Sequence, residues 1–114
     1  MARLPSTSEV PAWAWGSGLV SVTRRGEELS VVCDEGRVPV EVKAVRGWRA
    51  LEVEGPIDFD AVGVLRALAA PLADAAVSIF AIATYDTDVV LVRETDLRRA
   101  VAALRDAGHP VAGV

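Results

Sequence analysis

The chain is expected to adopt an α+β fold of the ferredoxin-like kind, an antiparallel sheet with both helices on one face, from Trp48 onward. Three observations predict it. Apolar residues change from a spacing of two to a spacing of 3.6 after residue 58, and again after residue 95. Between those points, two runs rich in β-branched residues, 77–83 and 89–92, flank the polar knot Thr84, Tyr85, Asp86, Thr87, Asp88 and read as strands joined by a turn. The resulting order is βαββαβ.

In chain order, residues 1–11 are polar and proline-bearing, the composition of a loose arm, and residues 1–16 are set apart on that basis. Trp13 and Trp15 share a parity and would project to one side of an extended segment, where covering apolar surface is the expected role. Residues 19–23 and 29–33 read as two strands of a hairpin closed through Arg24, Arg25, Gly26, Glu27 and Glu28. Cys33 ends the second run as a small hydrophobe, because its neighbours Val32 and Asp34 offer no base to activate a thiol. Val38, Val40 and Val42 alternate with Pro39, Glu41 and Lys43, which predicts a third strand at an edge, since Pro39 has no N–H for a ladder.

Residues 48–54 alternate, with Leu51 and Val53 on one face and the glutamates on the other, until Gly55 and Pro56 stop the strand. Ala61, Val64, Leu65, Leu68 and Leu72 then form a helical stripe for which Asp58 or Asp60 can supply the N-terminal cap. Gly63 disfavours a helix interior, and Pro71 predicts a kink or break. In residues 77–83 both parities are apolar, so this strand is buried on both faces, and the N-terminal strands or a second chain must cover the side without helices. Leu97, Ala100, Val101, Leu104 and Ala107 give a second helix, opened by Asp96 and closed by Gly108 with Pro110 beyond. His109 is expected to cap or decorate that helix end, and residues 111–114 can add a short strand.

With 114 residues the chain can bury a core without disulfides or metals. A formal charge of −4 argues against nucleic acid or an anionic membrane as partner. One cysteine and one histidine allow neither a disulfide framework nor a metal cluster within one chain. Residues 1–15 lack the apolar core of a signal peptide and no later run spans a bilayer, so the expected location is cytoplasmic. No nucleophile, base and orienting group can be named together, and no cofactor is implied; the expectation is a non-enzyme.

The succession from GWRALEVEGPIDFDAVG through ATYDTDVVLVRETDLRRA resembles the ACT domain, a small amino-acid-sensing module. It looks most like the branch containing stand-alone bacterial ACT proteins and the animal cytosolic arginine sensors. The preceding GEELSVVC resembles the stretch that in this branch belongs to a shortened first ACT-like unit, which sets expected limits of 17–47 for that unit and 48–114 for the ACT domain. The resemblance implies a free amino acid bound between paired units and a homo-oligomer. Carried onto this sequence, it places the ligand's carboxylate at Val62, Gly63 and Val64, and its cationic group at Thr84, Asp86 and Asp88, with Tyr85 as the aromatic neighbour. Ala61 stands where the arginine sensors offer an acid, with Asp60 beside it as the nearest substitute. The four aspartates at 58, 60, 86 and 88 make a neutral or cationic ligand the expected class. The other reading of the same residues is an oligomerisation or protein-interaction domain that keeps the fold without the ligand.

Overall fold

The computed structural model describes residues 1–54 and 61–113. These divide into two compact units, Met1–Arg46 and Gly47–Val114.

The first unit is a three-stranded antiparallel sheet of β1 (Ala2–Pro5), β2 (Ser21–Arg25) and β3 (Glu28–Val32), in the order β1-β3-β2. The hairpin forms as expected but is tighter. Arg25 pairs with Glu28, so only Gly26 and Glu27 lie in the turn, and Gly26 at φ +55° takes the position where a II′-type hairpin demands glycine.

Residues 1–11 are not a loose arm. β1 pairs with β3 on one side, and on the other Arg3 donates to the Lys43 carbonyl at 2.9 Å while Val45 donates to Met1 at 2.9 Å. Ala2 is fully enclosed and joins Ala14, Leu29, Val31 and Val38 in the core. Backbone pairing on both edges offsets the entropy that a polar, proline-bearing sequence would otherwise keep.

Two further expectations are corrected. Ala12–Ala14 is a single 3₁₀ turn, so Trp13 and Trp15 do not share a side: Trp13 packs on the core and Trp15 is 60% exposed. Residues 38–42 form no strand, and Val40 is 94% exposed. The Arg46 guanidinium takes the carbonyls of Glu35 (3.1 Å) and Pro39 (3.0 Å), and Val42 donates back to Pro39, so these groups close a turn instead of a ladder.

The second unit holds β4 (Trp48–Glu52), α1 (Val64–Asp74), β5 (Ile79–Ala83), β6 (Asp88–Arg93) and α2 (Leu97–Asp106). Its sheet is antiparallel in the order β4-β6-β5, with Leu51 opposite Val90 and Ile79 opposite Val92; β6 is therefore the central, doubly buried strand, and β5, expected to be buried on both faces, is an edge strand with no fully buried residue. Both helices lie on one face. Leu72 of α1 and Ala100 and Leu104 of α2 meet Val90 and Val92 of β6 in a single buried cluster, with Leu51 and Ile79 against it. The opposite face carries Val89 and Leu91, both buried, and a Trp48–Phe80 edge-to-face pair at 4.6 Å with the Arg93 guanidinium 4.5 Å from the Trp48 ring centre.

The first helix starts later than the sequence predicts and is not broken at Pro71. Its N-cap is Gly63 at φ +82°, a left-handed conformation that explains the glycine, which therefore lies outside the helix interior. Asp58 and Asp60, the expected caps, lie outside the described residues. The helix continues through Pro71 to Asp74 without a break. Residues 110–113 add no strand: the Val111 side chain packs on the core, and its carbonyl accepts from Arg105 Nη2 at 2.8 Å.

Candidate ligand-binding site

The polar knot is a turn built largely from its own hydroxyls. The Thr84 N–H donates to the Thr87 carbonyl at 2.8 Å. Thr84 Oγ1 donates to that same carbonyl at 3.0 Å and accepts from the Thr87 N–H at 3.1 Å. Thr87 Oγ1 donates to the Val53 carbonyl at 2.6 Å, and the Val53 N–H donates to Asp88 at 3.0 Å. These bonds fasten the turn to the end of β4. They also occupy the Thr84 hydroxyl, whereas Tyr85, 85% exposed, and Asp86 project from the tip. Asp88 is half-buried at the start of β6, and neither Asp86 nor Asp88 joins an ion pair among the described residues.

Topology puts the entry of α1 at the same end of the sheet. β4 and β5 both run antiparallel to β6 and hence parallel to each other, so the helix joining them must begin where β4 ends. That is also where β5 ends and the turn begins. At this entry Val62 is 97% exposed, Gly63 is exposed and Val64 is half-buried. Gly63 has no side chain with which to cap the helix, and among the described residues no side chain bonds to the first-turn N–H groups. What relates this entry to the turn is the topology that places both at the same sheet end. Asp60, the remaining predicted site residue, lies outside the described residues.

A second feature of this unit joins Pro71 and His109, which no local sequence pattern pairs. Pro71 cannot donate to the carbonyl four residues back, and that carbonyl, on Ala67, is 3.0 Å from His109 Nε2. Because a carbonyl only accepts, Nε2 carries the hydrogen. His109 is held there by a Schellman ending of α2, in which its own N–H reaches Leu104 (2.9 Å) and the Gly108 N–H reaches Arg105 (3.0 Å). His109 also lines a cleft of about 640 Å³ between β4, the helices and residues 110–113. The signal that could have found the pair is a helix-interior proline together with one histidine just past a helix end.

Cys33 is a free, partly buried thiol packed on the first unit's core. Burial pushes its pKa up, Asp34 adds to the rise, and the N-terminal ammonium and Arg37 oppose it. Among the described residues no group of three or more His, Cys, Asp or Glu could hold a metal ion, and no helix is long and apolar enough to cross a membrane.

Comparison with known proteins agrees with this architecture. The ACT domain family profile matches residues 43–106, and a second profile, described as an N-terminal domain, matches residues 1–41. The crystal structure of protein Atu0741 from Agobacterium tumefaciens is similar over 97% of this chain and 83% of its own, with 40% identity and a TM-score of 0.91. No curated protein matches.

Proposed function

Since the chain belongs to the ACT domain family, whose members commonly bind amino acids as regulatory modules, we propose that it is a non-catalytic sensor of a free amino acid, neutral or cationic. The ligand's carboxylate meets the start of α1 at Val62, Gly63 and Val64, and its cationic group meets Asp86 and Asp88, with Asp60 as a further candidate acid for that cationic group. The observation that carries this reading is the pairing, at one sheet end, of a helix entry and two aspartates which, among the described residues, have no side-chain cap and no ion pairs respectively. Thr84 acts by shaping the turn, and Tyr85 closes over the ligand. In this reading the chain works in the cytoplasm as a homodimer, with the first unit as a truncated ACT-like companion to the second.

The exposure of Tyr85 and Val62 favours one other reading, a protein-interaction surface at the same end of the unit. A thermal-shift screen of the whole chain against the twenty free amino acids separates the two. A ligand at 100 times its dissociation constant stabilises the fold by about 2.7 kcal/mol, several degrees or more in Tm. The expected result is such a rise for a neutral or basic amino acid, lost in Asp88→Asn. An unmoved transition with every amino acid at millimolar concentration would leave the interaction reading in its place.

A further inference from the structure

The end of α1 that carries the candidate site has little burial to hold it. Of residues 62–67 only Val64 is even half-buried, and the fully buried residue of the helix is Leu72, well beyond the entry. Leu68 and Leu72 pack on the unit's core, so burial anchors the helix from Leu68 onward and not before it. Pro71 adds to this, because it removes the bond that would tie the Ala67 carbonyl to the second half of the helix. Ala67 is also the residue whose N–H closes onto Gly63 at the entry, at 2.9 Å. In α2 the conditions are reversed: Ala100, Val101 and Leu104 are buried, and the Schellman ending fixes His109 just past the last turn. The 3.0 Å bond from His109 Nε2 to the Ala67 carbonyl therefore runs from a well-anchored element to a poorly anchored one. Among the described residues no other hydrogen bond leaves the first half of α1 for another element.

We propose that His109 is a positioning residue of the amino-acid site: by tying Ala67 to the end of α2 it keeps residues 62–64 where they meet the ligand's carboxylate. His109 touches no ligand atom in this role and acts through Ala67 and Gly63. An intrahelical N–H at residue 71 would satisfy the same carbonyl but leave the entry attached only to its own helix. The imidazole instead attaches it to a second element, which lowers the ordering cost that a bound carboxylate has to offset. The effect on affinity rests on the amino-acid reading, whereas the anchoring of the helix entry does not.

The test separates satisfying a carbonyl from anchoring a helix. Pro71→Ala gives the Ala67 carbonyl an intrahelical donor, so adding His109→Ala removes the anchor without stranding the oxygen. In the ligand-free chain, the amides of Ala67 and Leu68 should exchange with deuterium about threefold faster or more in the double variant than in Pro71→Ala, with Ala75 and Val77 unchanged. Titration with an equimolar mixture of the free amino acids, followed by the amide shifts of residues 62–66, should show a midpoint about fivefold higher or more in the double variant. Equal exchange in the two variants, or an equal midpoint, would overturn the proposal, since a role limited to the carbonyl would move neither. If the wild-type chain binds no amino acid, the amino-acid reading falls and the exchange rates alone decide the anchoring. If the double variant is unfolded, exchange is compared in His109→Ala and His109→Gln, whose side-chain amide retains a donor. Faster exchange in His109→Ala alone supports the anchor, and equal rates in both overturn it.

Discussion

At Ala67 one carbonyl oxygen links a proline and a histidine that the sequence holds 38 residues apart, and their energies are expected to be coupled. His109→Ala removes the donor to that solvent-accessible carbonyl and should cost about 0.5–1.5 kcal/mol in urea unfolding. Pro71→Ala restores the ordinary helical N–H and should be neutral or stabilising, and in that background the His109→Ala cost should fall below about 0.5 kcal/mol. Additive costs in the double-mutant cycle would contradict the link. The sequence reading could foresee the stranded carbonyl, because it follows from proline's missing N–H. It could not foresee the donor, because no local pattern ties residue 109 to residue 67. Cys33 makes a second prediction at this scale. Burial raises its pKa, so at pH 8 iodoacetamide should alkylate it more slowly in the native chain than in urea. Equal rates would mean that the thiol is exposed and active.

The helix ends show how far pattern alone reaches at the scale of the element. Both helices close with a Schellman motif: Val77 donates to Leu72 and Ala76 to Ala73 at the end of α1, as His109 and Gly108 do for α2. In α2 the left-handed position is Gly108 at φ +93°, which made this ending legible from the sequence. In α1 the same position is Ala76 at φ +58°, a residue that gives no stop signal and stores strain. Ala76→Gly should therefore stabilise the fold by about 0.5–1 kcal/mol, a rise of a few degrees in Tm, and a loss would show that the alanine methyl group makes a contact worth more than the strain. The start of α1 was misread for a related reason. Apolar periodicity extends back to Ala61, but Gly63 at φ +82° breaks the backbone where the pattern continues. The predicted strand at residues 38–42 failed differently, because alternating valines report a face to bury and not a partner to pair with, and Arg46 had already taken the carbonyls.

For the whole molecule, the fold class was legible because the two helices of the second unit carry a clean 3.6 period, its first strand alternates and its other two are short β-branched runs, and the ACT family match spans them. The first unit was harder. Its opening strand is held by partners at residues 28–31 and 43–45, none of them near it in sequence. Within the candidate site, the turn was visible as a polar knot between apolar runs, but the bonds of the Thr84 hydroxyl to the Thr87 backbone that shape it were not. The central claim, that a free amino acid sits between the start of α1 and the Thr84–Asp88 turn, is tested most directly by ¹H–¹⁵N correlation spectra of the whole chain. The spectra are recorded with and without an equimolar millimolar mixture of the free amino acids. The account predicts that the amides of residues 62–66 and 84–88 shift together and saturate. Unmoved amides in both segments, or saturating shifts confined to other parts of the chain, would contradict it.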